Sequence, residues 1–86
     1  MVYRVGVKVS PKIIEVLQGA NAYIFEEFGI YTIFRPHAVI IIHEKTWTAY
    51  IYADTTKDLF EEISTLKYYG VLEKVYVAAV ETGKKT

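Results

Sequence analysis

The sequence predicts a single small α+β domain. Two kinds of pattern carry this expectation, and the length bounds it. Apolar–polar alternation over Val2–Val9 and Trp47–Asp54 has the period of half-buried strands. Each stretch is followed by residues that cap and then build an amphipathic helix, at Ser10-Pro11 and at Asp54-Thr55-Thr56. At 86 residues the chain is long enough for one domain, 1–86, and too short for two.

In the first strand Tyr3, Val5, Val7 and Val9 point one way, and Arg4, Gly6 and Lys8 the other. Ser10 is a good N-cap and Pro11 suits the first helical position, where no N–H is needed. Ile13, Val16, Leu17, Ala20, Ile24 and Phe28 then fall on one helical face, and Gly29 is placed to end the helix in a left-handed conformation. Ile14, Tyr23 and Phe25 lie off that stripe, which predicts a helix with a second apolar side, turned toward another chain.

Residues 30–43 read as extended, with a break at Arg35-Pro36, where proline implies an edge or a bulge. Glu44-Lys45-Thr46 is a polar turn. Trp47, Ala49, Ile51 and Ala53 then alternate with Thr48, Tyr50 and Tyr52, closing a hairpin. Leu59, Ile63 and Leu66 mark the second helix. The end of the chain permits two readings. If Gly70 stops the helix, residues 74–81 form a fourth strand and the fold is ferredoxin-like βαββαβ. If the helix continues through Gly70, the fold is βαββα.

Composition narrows the function. Hydrophobic residues make up 52% and aromatics 15%, with eight tyrosines, more than the usual ~45–50% apolar share. A domain this small has little interior for the surplus, so an apolar face that binds a partner or a second copy is expected. The net charge is zero, unlike a nucleic-acid binder that acts alone. There is no cysteine, hence no disulfide, thiolate nucleophile or cysteine metal site. Residues 1–10 lack the apolar core of a signal peptide, and the longest apolar run, Ala38–Ile42, is too short to cross a bilayer. A cytoplasmic protein without a membrane partner is expected.

No catalytic constellation emerges. On a regular strand His37 and His43 would lie about 20 Å apart, too far to share a metal ion. Glu26-Glu27, Glu61-Glu62 and Asp54 with Asp58 read as solvated helix faces and helix-dipole partners. No nucleophile elbow or phosphate-cradling glycine loop is present. The chain is expected to be a non-enzyme that needs no cofactor and no metal. One surface suggests direct chemistry with a ligand. Tyr50 and Tyr52, flanked by Arg4 and Lys8 on the open face of the sheet, resemble the way RNA-binding sheets stack bases.

The block RPHAVIIIHEKTWTAYIYADTTKDLFEEIST, residues 35–65, resembles the Pcc-type small subunits of the KEOPS complex. The likeness rests on Arg35 near the start of the hairpin, the turn Glu44-Lys45-Thr46, Ala53-Asp54 closing the strand, Leu59 and Ile63 on the helix, and Ser64-Thr65 after them. The chain departs from that pattern at Phe60, Ser64-Thr65 and Pro36, where the family has Arg, Asn-Ser and Ser, which suits a diverged paralogue. The resemblance implies a three-stranded antiparallel sheet with two helices on one face, β-α-β-β-α, the last helix running through Gly70. It implies a homo- or heterodimer with a paralogous small subunit, docked on the threonylcarbamoyl transferase subunit. Such a protein supports tRNA threonylcarbamoyladenosine modification without catalysis and meets tRNA only within the complex. The expected partner-binding residues are Tyr23, Phe25, Arg35, Leu72 and Tyr76, and the residues of a possible RNA contact are Arg4, Lys8, Tyr50 and Tyr52. The alternative functions are a ferredoxin-like small-molecule sensor, of the amino-acid-binding kind, and an RNA-binding sheet.

Overall fold

The computed structural model describes residues 2–76 and 80–82. In chain order the elements are β1 (Val2–Val9), α1 (Ile13–Gln18), β2 (Tyr23–Glu27), β3 (Ile30–Arg35), β4 (Ala38–His43), β5 (Thr48–Ala53), α2 (Thr56–Tyr68), β6 (Leu72–Val75) and β7 (Val80–Thr82). The strands make one antiparallel sheet in the order β2-β3-β4-β5-β1-β6. β7 also pairs with β1: β6 lies along Val7–Val9 and β7 along Val2–Arg4, so together they occupy one rank beyond β1. The sheet therefore has six ranks and two helices, one of them short.

The register sorts every strand into an inner and an outer face. Val5, Val7, Val9, Ile33, Ile40, Ile42, Ala49 and Ile51 point inward and are almost fully buried. Ile13 and Leu17 of α1 and Leu59 and Leu66 of α2 close over them. These side chains are branched aliphatics that fill the space between sheet and helix, which is what holds so thin a core together.

Helix α2 begins where Thr55, in extended conformation, accepts a 3.0 Å hydrogen bond from the Asp58 N–H. It ends at Gly70, whose φ of 76° is left-handed. The N–H groups of Gly70 and Val71 turn back to the carbonyls of Lys67 and Leu66, satisfying two terminal acceptors. The chain then leaves as a strand.

Four expectations are corrected here. The sheet is not three-stranded. The last helix does not run through Gly70, because the left-handed glycine closes it and β6 finds the free edge of β1. The first helix is six residues long and does not reach Phe28. Gly19 has low helical propensity and Asn21 is left-handed, with φ of 46°. Residues 23–35 form a hairpin instead, turning on Phe28-Gly29 with φ of 55° and 79°. Positive φ at both central residues is the combination that matches strand twist in a two-residue hairpin. Pro36 sits neither in a bulge nor on an edge but in the tight turn with His37, between the paired residues Arg35 and Ala38. Trp47 precedes its strand, left-handed at φ of 53°, with its ring stacked on Tyr31.

Candidate functional site

The two histidines lie at opposite ends of β4. His37 lies in the β3–β4 turn and His43 at the far end of β4, edge-on to Tyr50. No group of three His, Cys, Asp or Glu residues among those described could hold a metal ion. Glu62 is largely buried and already committed: Arg35 Nε donates to its carboxylate at 3.0 Å. The same guanidinium donates to the Ala20 carbonyl. Arg35 thus ties the β2–β3 hairpin and the loop after α1 to α2, and its charge is turned into the molecule. No helix among the described residues is long and apolar enough to cross a membrane.

Both helices pack on the inner face, so the outer face of the sheet carries the free chemistry. Its positions follow from the register. Across the ranks they are Tyr23, Phe25 and Glu27 on β2, then Phe34, Thr32 and Ile30 on β3, then Val39, Ile41 and His43 on β4. Tyr52, Tyr50 and Thr48 of β5 follow, then Arg4, Gly6 and Lys8 of β1, and Lys74 of β6. The face divides into two halves of different character.

The half at β2 and β3 is apolar. Tyr23, Phe25 and Phe34 are 75, 59 and 44% exposed, and Phe28 at the hairpin tip is 92% exposed. Phe25 and Phe34 meet edge to face with centroids 5.9 Å apart. Strand β2 is also an edge: β3 pairs with one side of it and no described strand with the other. Residues Tyr23–Glu27 hold no proline, lysine or arginine and their ladder is regular, so the edge is guarded only by its shortness and by Glu26 and Glu27 at its hairpin end.

The half at β5, β1 and β6 combines cations with tyrosines. A Cβ on Gly6 would come within 3.3 Å of the Tyr50 ring, so glycine here lets that ring lie across β1. The Arg4 guanidinium stands 5.5 Å from the centre of the same ring, and the Lys74 ammonium 5.6 Å from that of Tyr76. The Lys8 ammonium donates to the Thr46 carbonyl at 2.9 Å.

The residues expected from the sequence are therefore distributed as follows. Arg4, Lys8, Tyr50 and Tyr52 share one face, as alternation predicts. Tyr23 and Phe25 are exposed, but on an edge strand rather than a helix. Leu72 packs partly against the core, Tyr76 is partly exposed at the end of β6, and Arg35 is paired internally. Phe34, Val39 and Ile41 were not foreseen. Their signal was the same period-two pattern in residues 30–43, whose outward positions are as apolar as its inward ones. No family model, curated protein or solved structure matches this chain.

Proposed function

We propose that this chain is a non-catalytic binding domain that self-associates through the edge strand β2 and so serves as a dimerising adaptor. The observation that carries the reading is a regular edge, free of proline and bulges, lined by exposed aromatic rings. The sequence of the edge supports one geometry. Antiparallel pairing of two copies about Phe25 sets Tyr23 against the partner's Glu27 and Ile24 against the partner's Glu26, with Phe25 on the two-fold axis. Parallel pairing would set glutamate against glutamate, which is unfavourable. Tyr23, Phe25, Phe28 and Phe34 together leave on the order of 500 Å² of aromatic surface in water. A stable interface buries about 800 Å² per partner, so these rings with the strand backbone approach what a dimer needs.

This reading keeps the class of function that the Pcc-type resemblance implies, a dimerising subunit that supports tRNA threonylcarbamoylation without chemistry of its own. The three-stranded sheet and long last helix that accompany that resemblance are not those of this chain. The strand order β4-β5-β1-β6, with α1 and α2 in the connections, supports describing the fold more finely as a ferredoxin-like core with the hairpin β2–β3 added at one edge.

Light scattering coupled to gel filtration tests the proposal. The wild type is expected at twice the monomer mass, falling toward the monomer on dilution. Phe25→Lys is expected to be monomeric with an unchanged melting temperature. A wild type that stays monomeric throughout, or a Phe25→Lys variant that dimerises equally well, would overturn it.

A second reading, a small-molecule sensor, has one observation of its own. A depression of about 380 Å³ lies at the Pro36 end of the sheet, lined by Arg35, His37, Tyr52, Asp54 and Asp58 among others. A rise in melting temperature with a free amino acid, lost in Asp54→Asn, is the result that reading requires.

A further inference from the structure

We infer that the cation–tyrosine half of the outer face is a binding site for a single-stranded polynucleotide. The zero net charge argues against this only if charge is spread evenly, and it is not. Asp54, Asp58, Glu61 and Glu62 lie in and just before α2, and Glu26 and Glu27 on the far edge strand. Across β1, β5 and β6 the described outward positions are Val2, Arg4, Gly6, Lys8, Thr48, Tyr50, Tyr52 and Lys74, with no carboxylate among them. The nearest acid along β6 is Glu73, at the irregularity where the β1–β6 register shifts. The one ion pair among the described residues is Arg35–Glu62, so Arg4, Lys8 and Lys74 have no carboxylate partner there.

A neutral protein with a face of this kind presents a local cationic track rather than a basic body. Tyr50 and Tyr52 stand two residues apart on β5, about 7 Å along the strand, which leaves room for one base on each ring. Arg4 and Lys8 flank the pair from the neighbouring rank, where phosphates of the same strand would pass. Gly6 lets the Tyr50 ring lie across β1, and the Arg4 guanidinium 5.5 Å from the centre of that ring sets a cation beside the stacking surface. Duplexes are disfavoured, because a flat sheet face offers stacking surface and no element to enter a groove. The inference is independent of dimerisation at β2, which lies three ranks away from β5.

Fluorescence anisotropy with labelled U12 RNA and dT12 DNA tests the site in the full chain. Binding is expected for at least one of the two, and the tighter identifies the natural sugar. Its logarithm should fall with log salt at a slope of about −2, from three phosphate contacts at about −0.7 each. Tyr50→Ala and Tyr52→Ala should each weaken binding roughly 5- to 150-fold. Lys74→Gln, on the exposed edge, should shrink the slope by about 0.7 while the fold is kept, and it serves if a tyrosine variant fails to fold. The inference is overturned if neither oligonucleotide binds at low salt, or if tyrosine removal in a folded variant changes nothing. It is equally overturned if a polyglutamate peptide of equal charge competes as well as RNA, since bases would then contribute nothing.

Discussion

The two faces of the sheet are built from the same strands, one residue apart, and differ in kind. The inner face carries Val5, Val7, Val9, Ile40, Ile42 and Ile51, each at most 1% exposed. The outer face carries Tyr23, Phe25, Phe34, Tyr50 and Tyr52, with cations at one end. Branched aliphatics suit a sealed interior, because they fill space in few rotamers. Tyrosines, with their polar tips, suit a surface that is wet part of the time and covered by a partner at others, and Phe25 and Phe34 add apolar area beside them. The difference teaches that the fold closes its own core on one side only, and that a row of aromatic residues is left on the other.

Substitutions can break this comparison. The largest effect is expected at Arg35, the charged residue on the inner side of β3. Arg35→Ala leaves the buried Glu62 carboxylate unpaired and should cost about 4 kcal/mol in urea unfolding. Ile51→Ala should cost about 3 kcal/mol by opening a cavity under α2. Its neighbour Tyr52→Ala, facing out, should cost no more than about 1 kcal/mol. Equal losses at Ile51 and Tyr52, measured by the same unfolding, would mean that the outer face is core after all.

Much of this was legible in the sequence, and what was not has a physical cause. Strand β1, the β4–β5 hairpin and α2 follow from alternation, cap and period, and the grouping of Arg4, Lys8, Tyr50 and Tyr52 follows from alternation alone. The helical pattern runs past the end of α1 because Ala20, Ile24 and Phe28 are four apart, and a spacing of four satisfies both a 3.6-residue and a two-residue period. The deciding signals were local: Gly19, the left-handed Asn21, and an aromatic, β-branched run ending in Phe28-Gly29. Tyr23 and Phe25 stand out in the sequence as surplus apolar residues, but on a strand rather than a helix. Residues 77–79 of the alternative fourth strand, 74–81, lie outside the described residues. Arg35 shows the limit of reading a site from a resemblance: the sequence marks it as a contact residue, while a pairing 27 residues away with Glu62 occupies it.

Hydrogen exchange of the backbone amides, followed at two protein concentrations, tests most directly that β2 is the self-association edge. Protection of Tyr23–Glu27 should rise with concentration while that of Leu72–Val75, on the opposite edge, stays constant. Identical exchange of Tyr23–Glu27 at both concentrations, in a sample shown to dimerise, would place the interface elsewhere and contradict the account.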